Sequence, residues 1–398
     1  MWNQDKFSVA AYVHRKELTH LKGWRRAKSL RADPKRFIRL IRALKSTIKR
    51  THGPRYKFGV QVPRSVPEAQ RLDAANGDTL WQDAINKELR QIDDYDTFRL
   101  ATDSPQPPSG YTHIPYHIVF DVKVDLRRKA RLVAGGNCTS PPKEDVYSGV
   151  VGLETIRLGF ALTAIHGLDV CVADVSNAYL YGTTNEKVCI RAGPEFGPER
   201  QGKWLIIEKA LYGLRSSGAR WHKAFADTLR EMGYTPSKAD PNLWIKDCGG
   251  HYEYLATYVD DVLVFGKRLR QTIETLRSKY ILKGVGTPEY YLGGDVVDLS
   301  QDISGWAGKN IKFGLSAETY IRRIATQIQQ TYNQMFHSNT GIRKAATPLP
   351  ERFHPEQDTS DLLDQDGAAF YHSITGAINW IVTLGRIDVS FANQASCA

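Results

Sequence analysis

Residues Leu255 to Lys267, LATYVDDVLVFGK, place two apolar, β-prone runs on either side of adjacent aspartates. Burying such strands with two carboxylates at their junction is costly unless a cation lies beside them. Asp260 and Asp261 are therefore expected to face a metal. A polar hairpin turn would also accept Asp, and Asp93-Asp94 is an acid pair without this apolar setting.

A second element points the same way. The run Leu153 to Ile165 has Ile156, Phe160 and Ala164 at helical spacing and ends at His166-Gly167, after which Leu168 to Asp174 reads as a buried strand with a carboxylate at its far end. Two-metal phosphoryl transfer uses carboxylates from separate strands to hold two divalent ions about 4 Å apart. Asp174, Asp260 and Asp261 could supply that set.

The chain resembles the reverse transcriptase of copia-type LTR retrotransposons over most of residues 80 to 392. The blocks that carry the resemblance occur in family order: TLWQDAINKEL (79–89), KARLVAGG (129–136), DVSNAYLYG (174–182), LYGLRSSGARW (211–221), YVDD (258–261), YYLGGDV (290–296) and FYHSITGAINWI (370–381). Ordered blocks over this length are far more specific than any one of them. Two places depart from the usual pattern. Arg215-Ser216-Ser217-Gly218-Ala219 stands where the family has Lys-Gln-Ala-Pro-Arg, which puts in doubt any nucleotide contact made by that glutamine. Leu384-Gly385-Arg386-Ile387-Asp388 stands where Thr-Arg-Pro-Asp is usual, a change of packing more than chemistry.

The resemblance implies an α+β right-hand polymerase of fingers, palm and thumb, here with a basic helical N-terminal extension. It implies an RNA-dependent DNA polymerase acting on dNTPs and a primed RNA or DNA template. Asp174 and Asp260 would ligate two Mg2+ ions, with Mn2+ as the alternative, assisted by the backbone of Val175; Asp261 would position ions or the primer 3′-hydroxyl. All these donors are hard oxygens, which suits Mg2+. Tyr179, five residues after Asp174, would lie beneath the sugar and exclude a 2′-hydroxyl; an ordinary buried tyrosine is the alternative. Gly213, Leu214, Arg215, Tyr258, Leu292 and Gly293 are the template-primer candidates. Gly213 and Gly218 permit close backbone approach, which suits a surface pressed against template. Trp221 is read as core in preference to a base-stacking platform.

Along the chain, residues 1–57 read as a basic arm and 58–78 as a linker, because Thr51 to Asp78 holds three prolines and three glycines. Residues 79–266 read as fingers and palm, 267–333 as a thumb-like region, and 334–398 as a loop and the start of a connection toward a missing RNase H domain. A helix from Trp81 with Ala84, Ile85, Leu89 and Ile92 on one side opens the fingers. His117 to Val124 and Ala130 to Ala134 are expected strands joined by a turn at Arg127-Arg128. That hairpin would cover the incoming triphosphate, with Lys123, Lys129 and Arg131 as candidate clamps, since a developing pyrophosphate needs cations opposite the metals. The palm runs from about Val146 to Gly266 and includes a helix over Leu211 to Met232, ended by Gly233. Further helices are expected over Arg268 to Tyr280, Phe313 to Gln330 and Ala368 to Leu384, with one strand over Tyr290 to Val297. Asp302 to Asn310 and Gln334 to Asp366 are expected loops.

Charge is unevenly placed. Residues 1–57 hold 17 Lys or Arg against Asp5, Glu17 and Asp33, a net of +14 within a chain of net +11, so the remainder carries −3. After an N-cap at Asp33-Pro34, Phe37, Ile41, Leu44 and Ile48 form an apolar stripe, and Arg36, Arg39, Arg42, Lys45, Lys49 and Arg50 make much of the rest basic. Such a helix suits nucleic acid, an acidic protein or a membrane surface, and nucleic acid is preferred ahead of a polymerase. No apolar run reaches the roughly 20 residues of a membrane span, and no signal-peptide core is present, so an intracellular protein without membrane association is expected. The five cysteines are scattered without CxxC spacing, which argues against zinc sites and disulfides. The chain also reads as a fragment of a Pol polyprotein whose other parts would be partners. The rival readings are a decayed remnant that only binds nucleic acid, and a structural partner of a longer polyprotein.

Overall fold

The computed structural model describes residues 54–101, 104–123, 125–139, 142, 146–299, 313–336, 345–349, 353–354, 357 and 359–397. The helix expected after Asp33-Pro34 and the loop expected over Asp302 to Asn310 lie outside the described residues. The chain divides into two compact units, Met1–Arg90 with His117–Leu132, and Gln91–Tyr116 with Val133–Ala398.

Among the described residues the first unit opens on antiparallel β1 (Arg55–Lys57) and β2 (Val60–Val62), joined at Phe58-Gly59, where φ is 51° and 75°. Helix α1 (Val66–Asn76) starts at Ser65, whose hydroxyl accepts from Glu68 N–H at 3.4 Å, carries Pro67 in its first turn, and ends at Gly77 with φ 72°. The stretch expected as a linker is therefore folded. Its prolines and glycines punctuate a hairpin and a helix. Asp73, 5% exposed, accepts the Trp81 and Gln82 N–H groups at 3.1 and 2.9 Å and so caps α2 (Leu80–Asp93). The stripe Trp81, Ala84, Ile85, Leu89 and Ile92 is buried, as its spacing requires.

The chain then passes through β3 (Phe98–Leu100) and β4 (Thr112–His113), both of the second unit, before β5 (Tyr116–Val122) and β6 (Arg128–Ala134), which pair with each other. The turn between them is not at Arg127-Arg128. It closes through Lys123 N–H to Arg127 C=O at 3.0 Å with Leu126 at φ 63°, and Arg128 already belongs to β6. The Arg128 guanidinium lies 5.4 Å from the Trp81 ring centroid, and that cation–π contact fixes Arg128 on the strand.

The second unit carries α3 (Leu153–His166), closed by Gly167 at φ 58°, then β7 (Asp169–Val175), β8 (Val188–Arg191), β9 (Trp204–Ile207) and α4 (Ser217–Glu231). They are followed by β10 (Thr235–Pro236), β11 (Leu243–Asp247), β12 (Tyr252–Tyr258), β13 (Asp261–Gly266), α5 (Leu269–Arg277) and β14 (Leu282–Gly286). Last come β15 (Tyr290–Tyr291), β16 (Gly294–Asp298), β17 (Phe313–Ser316), α6 (Glu318–Phe336), α7 (Gln365–Thr383) and α8 (Ser390–Cys397). The main sheet has the order β10-β11-β12-β13-β7-β14; smaller sheets are β3-β9-β8-β4 and β15-β16-β17.

Residue parity divides the core of the main sheet in two. Cys171, Ala173 and Val175 of β7 and Val262 and Val264 of β13 pack with Trp221, Phe225 and Leu229 of α4 and Ile273 and Leu276 of α5. Their neighbours Val170, Leu263 and Phe265 pack on the other face with Ile156, Phe160, Tyr291 and Val296. Such two-sided cover explains why these strands are nearly continuous apolar runs.

Three further elements differ from the sequence reading. Residues 211–216 precede α4 and are not helical: Gly213 has φ 93°, and its backbone crosses β6 so closely that a Cβ there would lie 2.1 Å from the Ala134 carbonyl oxygen. Tyr290 to Val297 is a hairpin, because Leu292 and Gly293 take positive φ of 46° and 86° and reverse the chain. Phe313–Ser316 is a strand paired with β16, so the helix begins at Glu318 and runs into the expected loop as far as Phe336; α7 likewise starts at Gln365, capped by Asp364. Among the described residues Cys138, Cys171, Cys189 and Cys248 are free, and no helix is long and apolar enough to cross a membrane.

Gly213 and Gly218 provide a test of this packing. Gly213→Ala should cost about 2–4 kcal/mol, since it combines a positive φ with a clash against backbone. Gly218→Ala, whose Cβ would meet Ser148 at 3.3 Å, should stay within about 1 kcal/mol of the parent. Urea midpoints of the two variants measure the difference, and equal midpoints would contradict the close crossing.

Candidate active site

The register of the main sheet builds a transverse row of polar side chains. Tyr258 is opposite Asp261, Asp261 opposite Asp174, and Asp174 opposite Lys283. Directly opposed residues of an antiparallel sheet share a face, so a phenol, two carboxylates and an ammonium group line up across four strands. The face is that of Leu263 and Phe265, by parity along β13. Opposing Asp261 to Asp174 sets like charges together, which destabilises a sheet.

Asp260 occupies the two-residue loop Val259-Asp260 between β12 and β13. Val259 has φ 57°, a left-handed conformation that costs a β-branched residue about 1–3 kcal/mol. Two bonds hold the loop there. The Trp221 indole N–H donates to the Val259 carbonyl at 2.6 Å, and the Val175 N–H donates to the Asp260 carbonyl at 2.8 Å. Trp221 is 2% exposed, so it is core, as read from sequence, and it also fixes the acidic turn. By contrast Asp93 of the other acid pair is bound by both terminal nitrogens of Arg200 at 2.7 Å.

Burial, with the charges of Asp260 and Asp174, pushes the Asp261 carboxyl up to about 6. Among the described residues no three His, Cys, Asp or Glu side chains are gathered into a preformed metal cluster. The three aspartates are nevertheless hard oxygen donors whose mutual repulsion a divalent cation would relieve, so their chemistry fits such an ion.

The remaining sequence candidates fall in several places. Tyr179, half-buried in the single turn Ala178–Tyr181, packs its ring 4.8 Å from that of Tyr212. Arg215 donates from Nε to the Gly136 carbonyl at 3.0 Å and from a terminal nitrogen to that of Asn137 at 3.4 Å. Leu214 is buried, and the close approach permitted by Gly213 is to Ala134 of this chain. Leu292 and Gly293 form the β15–β16 turn, and a Cβ on Gly293 would come 3.0 Å from the Trp380 indole nitrogen. Lys123, Lys129 and Arg131 belong to the first unit. There Lys123 is exposed at the hairpin turn, while Lys129 and Arg131 lie near Glu88, whose carboxylate accepts from Leu132 N–H at 3.0 Å. Desolvation raises the Glu88 pKa, against the lowering effect of that bond and of the two cations.

Sequence reasoning missed three residues. Lys283 faces Asp174, and nothing in LKGVG marked that lysine. Tyr212 backs Tyr179, and the LYGL block did contain it. Tyr291 lies buried on the carboxylate face, one residue before the candidate Leu292.

A family model described as reverse transcriptase (RNA-dependent DNA polymerase) matches residues 95–338. The chain is 27% identical over 251 residues to the "Retrovirus-related Pol polyprotein from transposon RE1" of Arabidopsis thaliana, covering 60% of this chain and 17% of that protein. It is 28% identical over 255 residues to the "Retrovirus-related Pol polyprotein from transposon TNT 1-94" of Nicotiana tabacum, covering 61% and 18%. With the "Truncated transposon Ty1-A Gag-Pol polyprotein" of Saccharomyces cerevisiae it shares 25% identity over 290 residues, covering 70% and 23%. The chain thus spans about a fifth of the length of these curated relatives. Since the model matches well over half of its length and takes in the whole acidic row, the chain belongs to the reverse transcriptase (RNA-dependent DNA polymerase) family.

Proposed function

We propose that the chain is the polymerase part of a copia-type retrotransposon Pol protein, copying an RNA or DNA template by adding dNTPs to a primer 3′-hydroxyl. The observation that carries this reading is the placement of Asp174 and Asp261 side by side on one sheet face, with Asp260 in the adjoining turn. Asp174, Asp260 and Asp261 would hold two Mg2+ ions, or Mn2+ in their place, with the Val175 backbone assisting. Such ions lower the pKa of the attacking hydroxyl and stabilise the leaving oxygen. The primer 3′-oxygen attacks the α-phosphorus, the bond to the bridging oxygen breaks, pyrophosphate leaves and the hydroxyl proton passes to solvent.

The chain's other residues take supporting roles. Tyr179 lies against the sugar with Tyr212 behind it. Arg131, with Lys123 and Lys129, neutralises the triphosphate. The elements carrying Gly213, Leu214, Arg215, Tyr258, Leu292 and Gly293 contact template and primer. The subdomains follow as fingers and palm over 79–266, a thumb-like region over 267–333 and a C-terminal connection. Residues 1–57, with their charge of +14, grip the nucleic acid backbone.

Asp174→Asn and Asp260→Asn should each lower primer extension by roughly three orders of magnitude while template-primer binding persists. Wild-type extension by Asp260→Asn would sink the metal assignment. In EDTA at pH 8, Asp260→Asn should instead raise the Tm by about 2–4 °C, since it removes one of the repelling charges. Because the folded Asp261 pKa of about 6 lies above its unfolded value of 3.8, its destabilisation of the metal-free fold grows as pH rises between those two values and is complete above about 6. The Tm gain should therefore shrink as pH falls through 6 toward 4.

Tyr179→Val should lower the ratio of dNTP to rNTP efficiency by roughly tenfold or more; an unchanged ratio in a folded, active variant would return Tyr179 to a packing role. Deleting residues 1–57 should flatten the plot of log affinity against log salt by several units, about one for each phosphate that the arm had neutralised. The rate of addition at saturating template should hold. An unaltered salt slope would mean that the arm meets something other than nucleic acid.

A further inference from the structure

Tyr291 is 6% exposed, in a cluster with Ile156, Phe160, Leu263, Phe265 and Val296, and its hydroxyl has no hydrogen-bond partner among the described residues. A buried phenol without a partner carries a desolvation cost that phenylalanine would avoid with the same ring packing. The ring lies on the sheet face shared by Asp174, Asp261 and Tyr258. Burial lifts the phenol well above its ordinary range; the Asp261 carboxylate adds to this, and Tyr258 contributes after it. At working pH the hydroxyl keeps its proton, and the charged group it feels most is Asp261. The backbone that presents it is tightly constrained: Tyr291 pairs with Gly294 across the turn at Leu292-Gly293, both at positive φ.

We propose that the Tyr291 hydroxyl is a positioning group for Asp261, donating a hydrogen bond that turns the carboxylate toward an incoming divalent cation. The inference rests on the metal-site reading of the three aspartates. Groups that orient metal-binding carboxylates typically change metal affinity or activity by about 10–100-fold when removed. With an ion present the phenol, keeping its proton, would donate a hydrogen bond to one carboxylate oxygen of Asp261 and leave the other free for the ion. In the structure that donor lacks a hydrogen-bond partner among the described residues, while Asp261 and then Tyr258 act on it through their charge.

The test is Tyr291→Phe in the full chain, compared with Asp261→Asn. Mn2+ binding to the enzyme–template-primer complex is measured by isothermal titration, the Tm is measured in EDTA, and single-nucleotide addition is followed across a Mg2+ series. Tyr291→Phe should weaken Mn2+ binding by about tenfold and raise the half-saturating Mg2+ by a similar factor. Its KM for template-primer should stay at the wild-type value, and its metal-free Tm should be equal or higher because an unpartnered hydroxyl is gone. Unchanged Mn2+ affinity overturns the proposal whatever the Tm does. Weaker Mn2+ binding accompanied by a lower metal-free Tm also overturns it, because the hydroxyl would then be holding the fold. If Asp261→Asn itself keeps wild-type Mn2+ affinity, the metal-site reading fails; if it loses affinity while Tyr291→Phe keeps it, only the role of Tyr291 falls.

Discussion

A slip of one residue in the pairing of β13 with β7 would turn Asp174 and Asp261 to opposite faces of the main sheet. The apolar residues around them prevent it. Val262 and Val264 must meet the α4–α5 face, and Leu263 and Phe265 must meet the α3 face, so any slip would drive four buried side chains into the wrong layer. Burial of these residues therefore sets where the carboxylates point, although they contribute nothing to the chemistry. Each buried aliphatic or aromatic side chain stabilises by about 1.5–3 kcal/mol, which outweighs the like-charge opposition at the end of the strands.

The turn at Val259-Asp260 depends on the same core from another side. Glycine would take the positive φ without strain, yet valine stands there. The indole of Trp221 both fills the core and supplies the N–H that fixes the Val259 carbonyl, so helix packing and loop geometry are coupled through one side chain. The Val175 N–H closes the other side, tying the loop to the strand that carries Asp174. A strained, doubly anchored loop holds Asp260 with little freedom, which lowers the entropic cost of gathering charged ligands about an ion.

Much of this was legible in the sequence. The two apolar runs around Asp260-Asp261 read as strands meeting at the aspartates because they are β-prone, and the 3.6-residue period read α2 and α3 to within a few residues. What escaped depends on long-range contact. The turn at Leu292-Gly293 contains leucine at positive φ, which no local rule favours, so the hairpin looked like one strand. The apolar spacing of Leu214 and Trp221 suggested a continuous helix, whereas Gly213 is held at positive φ by its crossing with β6. Lys283 owes its place opposite Asp174 to strand register alone, a property absent from its neighbours in sequence. The prolines and glycines of 58–78 looked like a linker because both linkers and tightly capped short elements are rich in them.

The segment that departs most from the family pattern, Arg215 to Ala219, shows how a changed sequence keeps its local structure. Ser216 uses its backbone N–H and hydroxyl to bind one oxygen of Glu186 at 3.0 and 2.6 Å, and Ser217 returns its hydroxyl to the Leu211 carbonyl at 2.6 Å. The bond from the Ser216 N–H satisfies one backbone donor at the start of α4 that a helix leaves open. Arg215 spends its Nε and one terminal nitrogen on the carbonyls of Gly136 and Asn137, at the end of the crossing that Gly213 makes possible. The replaced residues are thus part of the frame that holds Trp221 at its place in α4. Because Trp221 in turn fixes the Val259 carbonyl, the altered segment is linked to the acidic turn through a continuous path of backbone and side-chain bonds, and its departure from the family pattern leaves the geometry of the three aspartates supported.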